Sequence, residues 1–332
     1  MMRKLIEQVL KTIRNYDMLK PGDRVLAAVS GGPDSVFLLY ALHSLKKKLG
    51  MDKLCVCNLD HGLRGKESRE DSLFVKGLAA RLELELIQKK INLKRTKPKG
   101  LSTEELAREE RYHFFGEAAK RTKAGVIATG HTLDDQAETV LMRIVRGSSS
   151  KGVVGILPVR KLGHLRIVRP LLELEKSQIR KALDVEGMPY RIDSTNLEPI
   201  YFRNVVRKDI IPFLERYNPR LKRAMFSLAE HLREDLEFIN EAKSEFGKNI
   251  RETGRGRLEI KLKDMVIQPK ALQKEILRDA LDKIGGEVKK LSFRHWKELE
   301  YFIKYKRAGS SIDLPGGVRV TRKTSALVFH LL

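Results

Sequence analysis

The residue types best suited to phosphate chemistry lie together in one segment, Ser30-Gly31-Gly32-Pro33-Asp34-Ser35. Its two glycines allow a tight turn and a close approach of the backbone to a ligand. Backbone amides at such a turn attract anions, and the serine hydroxyls can donate further hydrogen bonds. A carboxylate repels bare phosphate, so Asp34 predicts a Mg²⁺ ion that bridges it to the phosphates.

Two common phosphate motifs are absent. The sequence contains no GxxxxGK[ST], and no GxGxxG follows the first predicted strand. The alternative interpretation of the segment is an ordinary glycine turn before a capped helix. Six consecutive residues with types suited to phosphate binding, placed at a strand-to-helix junction, favour the phosphate site over this alternative.

A second polar segment, TGHTLDDQAET, begins at Thr129. It holds an imidazole, His131, and two carboxylates, Asp135 and Glu138, whose three-residue spacing puts them on one helix face. Such groups can bind Mg²⁺, hold an ammonium group or accept a proton. Asp134 suits an alternative role as a helix cap or a first-turn acid.

Arginines mark a third segment, in the predicted helix 103–121. Arg108 and Arg111 share one face of that helix, and from spacing alone they serve a site or the solvent equally well.

These segments need a scaffold, and strand-like and helix-like runs alternate up to about residue 212. Continuous apolar strands between amphipathic helices predict an α/β fold, a doubly wound parallel sheet covered on both faces. Both polar segments follow predicted strands, at the sheet edge where open α/β folds bind ligands. We predict strands at 24–30, 53–60, 85–89 and 125–130, and helices at 35–49, 67–82, 103–121 and 133–146.

The pattern changes after Pro212. Apolar residues at three- and four-residue spacing predict one long helix from Leu221, and two shorter helices follow it. Alternating runs around Pro315 predict a terminal β-hairpin. We therefore expect a catalytic domain at 1–212 and a smaller, mainly helical domain at 213–332.

Composition narrows the class of partner. The 332 residues carry a formal net charge of +23, which favours a polyanionic partner over the small-molecule substrates of an ordinary enzyme. No apolar run approaches the length of a membrane span, and the N-terminus lacks a secretory h-region, so we expect a cytoplasmic protein. Cys55 and Cys57 lie in a predicted strand and are expected to be reduced core thiols.

The phosphate segment matches SGGxDS, and the chain thereby resembles the N-type ATP pyrophosphatase, or PP-loop, superfamily. Members cleave ATP between the α and β phosphates and adenylate a substrate. Further segments make the chain similar to the tRNA(Ile)-lysidine synthetases in particular. Those segments are 59–64 (LDHGLR), Ala107-Arg108 with Arg111-Tyr112, the run from Gly130 to Gly147, 169–172 (RPLL), 193–196 (DSTN) and 201–207 (YFRNVVR).

The resemblance implies a reaction. ATP adenylates the C2 oxygen of the first anticodon cytidine in an isoleucine tRNA with anticodon CAU, and the ε-amine of L-lysine then attacks C2 and displaces AMP to give lysidine. The codon read changes from AUG to AUA, and the amino-acid identity changes from Met to Ile. It further implies ATP and Mg²⁺ as cofactors, with the ion on Asp34 and Asp135 and the phosphates on Ser30–Ser35.

By the same resemblance, the catalytic residues are Asp34, Arg111, His131, Asp135 and Glu138. The general base stays open among His131, Asp135 and Glu138, and Arg111 is expected to face either the α-phosphate or the carboxylate of lysine. The long C-terminal helices offer one way to form a homodimer. Basic residues near the domain border are candidate RNA contacts: Arg203, Arg207, Arg220, Lys222 and Arg223.

A PP-loop tRNA thiolase is the alternative, since it shares the adenylation step. Such enzymes generally need CxxC pairs or separated catalytic cysteines, and Cys55-Val56-Cys57 is neither. An amidotransferase-type synthetase would need a glutaminase domain, and a non-catalytic RNA-binding protein would not need the acids Asp34, Asp135 and Glu138.

Overall fold

The structure is a computed structural model that describes residues 1–60, 62, 66–91, 103–191, 202–254 and 256–332. The predicted motif residues at 61, 63–64, 193–196 and 201 lie outside the described residues.

Helices make up much of the described chain. Their bounds are α1 Met2–Asn15, α2 Pro33–Leu45, α3 Lys66–Arg81, α4 Thr103–Thr122, α5 Leu133–Val145, α6 Ser150–Val153, α7 Lys176–Val185, α8 Phe202–Val205, α9 Ile211–Glu215, α10 Leu221–Phe246, α11 Leu262–Val266, α12 Lys270–Lys283 and α13 Phe293–Tyr305. A π-helical turn, Val206–Ile210, joins α8 to α9.

The strands form two sheets. Their bounds are β1 Arg24–Ala28, β2 Lys53–Asp60, β3 Glu85–Lys90, β4 Val126–Ala128, β5 Val159–Leu162, β6 Leu165–Val168, β7 Ile250–Gly254, β8 Arg257–Lys261, β9 Ser311–Leu314, β10 Val318–Arg322 and β11 Ala326–Leu331.

The first sheet has the order β3-β2-β1-β4-β6-β5 and is parallel except for β5, which pairs antiparallel with β6. Alternate residues of its strands enter different cores. Val25 and Val56 pack with α2 on one face, whereas Leu26 and Cys57 pack with Phe114 of α4 on the other. This double burial explains the continuous apolar runs of the sequence and confirms the predicted fold class.

Element bounds differ from the predictions at the phosphate segment. Strand β1 ends at Ala28, and α2 begins at Pro33 and ends at Leu45, whereas we predicted a strand to residue 30 and a helix over 35–49. Proline is favoured in the first helical turn because its missing N–H would lack an intrahelical partner there. Helix α2 therefore begins inside the phosphate segment.

The chain divides into two compact units, Met1–Glu230 and His231–Leu332. The division falls inside α10, whereas the sequence places the border between 212 and 213, and that border stays a prediction.

The second unit has its own core around a five-stranded antiparallel sheet of order β7-β8-β11-β10-β9. Helices α12 and α13 contribute Ile276, Leu299 and Phe302 to this core. The predicted terminal hairpin is thus part of a larger sheet, and we did not predict β7 and β8. None of the helices in the described ranges has the length and apolarity needed to cross a membrane.

Candidate active site

The phosphate segment forms a tight loop between β1 and α2. Gly31 has a φ of +95°, a conformation that favours glycine. The Ser35 hydroxyl donates to the Gly32 carbonyl at 2.9 Å, and the Ser30 amide donates to the same hydroxyl oxygen at 3.2 Å. The loop is therefore held by its own side chains before a ligand arrives.

Gly130, just after β4, packs directly against this loop. A Cβ atom at Gly130 would lie 3.2 Å from both the Asp34 carbonyl carbon and the Ser35 amide nitrogen. Because β1 and β4 are neighbours in the sheet, this contact sets the second polar segment beside the phosphate loop.

Asp34 is the charged residue of the loop. Its Oδ1 atom is buried and has no hydrogen-bond partner among the described residues. Burial raises the pKa of Asp34 to about 6; the nearby Lys176 opposes the rise and Asp135 adds to it. An ionised carboxylate with an unused buried oxygen is suited to a cation.

Asp135 is held by several donors. The backbone amide and the hydroxyl of Thr132 both donate to Oδ2 at 2.9 Å, and Lys176 Nζ donates to Oδ1 at 2.8 Å. Burial alone would raise the pKa of Asp135, but the Lys176 ammonium, His131 and these hydrogen bonds hold it well below its ordinary value. Asp135 is therefore a fixed anion at neutral pH.

Asp134 joins three helices, which fits the structural role considered for it. Its Oδ1 lies 2.9 Å from Lys222 Nζ of α10, and its Oδ2 accepts the Lys176 amide of α7 at 2.8 Å. Lys222 also lies 3.3 Å from Glu215 of α9. These contacts fix the N-terminus of α5 and with it the side chains that follow.

His131 lies half-buried beside the acids. Its Nδ1 lies 2.9 Å from the Thr129 hydroxyl oxygen. Burial lowers the pKa of His131 to about 4, with Asp135 opposing and Arg169, Arg111 and Arg203 reinforcing the effect. The imidazole is therefore neutral at pH 7, when one of its nitrogens can accept a proton.

Glu138 is almost fully buried, at 1% exposure, and is bound by two arginines. Arg207 donates to it through Nε at 2.6 Å and Nη2 at 3.0 Å, and Arg203 donates through Nε at 2.8 Å. Both arginines belong to the helical run of α8 and the π-helical turn. The contacts make Glu138 an anchor for that run rather than a free proton acceptor.

Arg111 lies on α4 with an exposed side chain. Its charge contributes to the lowered pKa of His131, so it acts on the same electrostatic environment. All the predicted catalytic residues thus belong to the first unit, and Asp135 interacts electrostatically with both Asp34 and His131.

Asp34 meets the requirements of a Mg²⁺ ligand better than Asp135. One oxygen of Asp34 has no partner in the described part of the chain, whereas both oxygens of Asp135 already accept hydrogen bonds. Within the described ranges, no cluster of three His, Cys, Asp or Glu side chains is arranged to hold a metal. An ion on Asp34 would therefore draw its other ligands from phosphate oxygens and water, which is usual for Mg²⁺.

Lys176 was not among the predicted site residues, although it interacts with Asp34 and Asp135. Arg203 and Arg207 were predicted only as RNA contacts, whereas both hold Glu138. The four-residue spacing of these arginines is a sequence signal for a shared face, but their partner lies far away along the chain. Lys176 carries no comparable signal, because only the fold brings it to the site.

The chain is similar to known proteins in both sequence and fold. A family model described as a PP-loop domain matches residues 1–214. The tRNA(Ile)-lysidine synthase of Clostridioides difficile (strain 630) is 35% identical over 329 residues, which cover 98% of this chain and 70% of that protein. The tRNA(Ile)-lysidine synthase of Dehalococcoides mccartyi (strain CBDB1) is 35% identical over 317 residues, covering 94% of this chain and 67% of that protein.

Among solved structures, the U34-tRNA thiolase NcsA from Methanococcus maripaludis with its [4Fe-4S] cluster matches with a TM-score of 0.58 at 20% identity, over 69% of this chain and 78% of the other. That likeness concerns the fold alone. The family model and the relatives that align along nearly the whole chain show more: this chain belongs to the tRNA(Ile)-lysidine synthase family of PP-loop proteins.

Proposed function

We propose that this protein is an ATP-dependent ligase that forms lysidine on tRNA(Ile), joining L-lysine to C2 of the wobble cytidine in the CAU anticodon. Family membership supports the activity. One observation in the site supports this activity most directly. The buried carboxylate oxygen of Asp34, which has no partner among the described residues, lies on a preformed phosphate loop beside the acids of α5.

In the first step the C2 oxygen of cytidine attacks the α-phosphorus of ATP and pyrophosphate leaves. Negative charge grows on the leaving group, and the amides and hydroxyls of Ser30–Ser35 lie where they can stabilise it. Asp34 would hold Mg²⁺, which neutralises phosphate charge when bound.

In the second step the ε-amine of lysine attacks C2, loses a proton, and AMP leaves with the C2 oxygen. The ammonium form of lysine dominates at neutral pH, so a base must take a proton. The base stays a prediction among His131, Asp135 and Glu138, because each is a weak proton acceptor. Burial lowers the pKa of His131, the Lys176 ammonium holds that of Asp135 low, and two arginines occupy Glu138.

Asp135 and Arg111 complete the proposed site. Asp135 offers negative charge for an ammonium group, and Arg111 offers a guanidinium for a carboxylate or the α-phosphate. We assign Glu138 a positioning role, since it anchors Arg203 and Arg207. We place the proposed activity in the cytoplasm. The formation of a homodimer stays a prediction.

The thiolase alternative finds no support in the cysteines. The whole sequence has two, Cys55 and Cys57, and both are buried in β2. Burial raises the pKa of the Cys57 thiol far above its ordinary value, so the reactive thiolate is disfavoured. Protein-bound iron–sulfur clusters generally need more cysteine ligands than this chain has.

Incubation with ATP, isotopically labelled L-lysine and a tRNA(Ile) CAU transcript tests the proposal. We expect mass spectrometry of the wobble nucleoside to show one added lysine, with AMP and pyrophosphate released only when both lysine and tRNA are present. A thiolated nucleoside, or an unmodified one with ATP consumed, would contradict it. Replacing both cysteines by alanine should leave the product unchanged.

A further inference from the structure

Helix α9 and the residue pair after it present two aromatic rings to solvent. Phe213 is 52% exposed and Tyr217 is 77% exposed. Their ring centroids lie 5.5 Å apart with an interplanar angle of 64°. The rings contact each other but remain largely uncovered, so they have apolar surface available to a partner.

Two arginines give this surface positive charge. Arg216 and Arg220 are exposed, and neither side chain forms an ion pair with another described residue. The acid of the same helix, Glu215, is already paired with Lys222 at 3.3 Å. The charge around the rings therefore favours an anionic partner.

The aromatic pair is also tied to the active site. Lys222, which binds Glu215 of α9, binds Asp134 at 2.9 Å. The π-helical turn immediately before α9 carries Arg207, which holds Glu138. A ligand on the rings would thus contact an element that two ion-pair links fix to the catalytic cluster.

We propose that Phe213 and Tyr217 form a stacking platform for an unpaired nucleobase of the RNA substrate, next to the nucleotide that enters the active site. The inference rests on the proposed function and adds a specific contact to it. Bases of single-stranded loops can splay out and stack on aromatic rings, while arginines contact the adjacent phosphates. Exposed rings flanked by arginines that pair with no described acid have this composition.

Substitution of each ring tests the platform. The variants Tyr217→Leu and Phe213→Leu keep apolar bulk but remove the π-face, so we expect affinity for a tRNA(Ile) CAU transcript to fall about 5- to 100-fold. The matched control Tyr217→Phe keeps the aromatic ring. Its affinity for the transcript should lie within about twofold of that of the unmodified protein, because stacking depends on the π-face of the ring. A 2-aminopurine base placed beside the target cytidine should lose fluorescence on binding the unmodified protein and keep it with the leucine variants.

Salt titration separates the rings from the arginines. The leucine variants should bind more weakly with an unchanged slope of log K against log salt, whereas Arg216→Ala and Arg220→Ala should make that slope shallower. Unchanged RNA affinity in both leucine variants would overturn the platform. So would a change in sedimenting mass without a change in RNA affinity, which would assign the rings to a contact between protein chains.

A failure of the proposed function can be distinguished from a failure of the platform. If the unmodified protein neither binds the transcript nor forms lysidine, the enzyme assignment is wrong. If it does both and the leucine variants match it, only the platform is wrong. Because both rings are largely exposed, the variants should keep the thermal midpoint and the ATP affinity of the unmodified protein.

Discussion

At the scale of single residues, the buried carboxyl of Asp34 lowers the stability of the fold while it suits the proposed function. A folded-state pKa near 6, against an ordinary value of 3.8, means that the folded chain holds this proton longer than the unfolded chain does. The contribution of Asp34 to the free energy of unfolding therefore falls as pH rises from about 4 to about 6. Above that range the loss of stability persists.

Asp34→Asn should remove this penalty. The pKa difference of about two units corresponds to roughly 3 kcal/mol as an upper bound, so at pH 8 the variant should have the higher free energy of unfolding. At pH 4 the two proteins should differ little, because the folded carboxyl is then almost fully protonated and only a small part of the penalty has developed. Denaturant unfolding at both pH values, without nucleotide or divalent metal, measures the effect.

The same variant should lose ATP-dependent pyrophosphate release by about 100-fold or more, since it lacks the charge that holds a cation. An equal stability difference at both pH values would show that the buried carboxylate is not responsible. Full activity would remove Asp34 from the proposed site.

The residues of the site differ in how far the sequence could reveal them. The phosphate loop was predictable, because its groups are contiguous and their chemistry is local. The partners of Asp135 and Glu138 were not, because Lys176, Arg203 and Arg207 reach them across the fold. The spacing of Asp135 and Glu138 indicated a shared helix face but not that arginines would occupy Glu138.

At the scale of elements, the contact between the end of β4 and the phosphate loop positions the site. Gly130→Ala would place a methyl group 3.2 Å from the backbone of Asp34 and Ser35, which is closer than ordinary packing allows. Backbone cannot move aside as a flexible side chain can, so overpacking of about 1–3 kcal/mol should displace the loop.

We expect Gly130→Ala to weaken ATP binding by about tenfold or more, as isothermal titration calorimetry would measure. Gly125→Ala is the matched control at the other end of the same strand, because a Cβ there meets no atom within 4 Å. Equal ATP affinity in the two variants would mean that this contact does not shape the loop.

Elements with clear periodicity were predictable and polar ones were not. Strands β1, β2 and β4 are buried on both faces and stand out as apolar runs. Strand β5 (VRKL) and strand β7 (IRETG) carry charges at exposed positions, so neither alternation nor an apolar run identifies them. Their pairing depends on neighbouring strands, which local sequence does not encode.

At the scale of the whole molecule, the charge of +23 predicts how RNA binding responds to salt. If six to ten phosphates are contacted, affinity for tRNA should fall by about 10³- to 10⁵-fold between 50 and 200 mM salt. ATP binding to the preformed loop should change far less. Filter binding across a salt series measures the first, and a salt-independent tRNA affinity would contradict an electrostatic interface.

The edge strands of the first sheet carry features that oppose edge-to-edge aggregation. Its two outermost strands are β3 and β5, and each contains a pair of adjacent basic residues. Strand β3 ends in Lys89-Lys90, and Arg160-Lys161 lies in the middle of β5. An incoming strand from another molecule would have to bury or oppose those cations along edges that pair with no other described strand. The same positive charges that suit the chain to a nucleic acid thus protect its sheet from fibril-like growth.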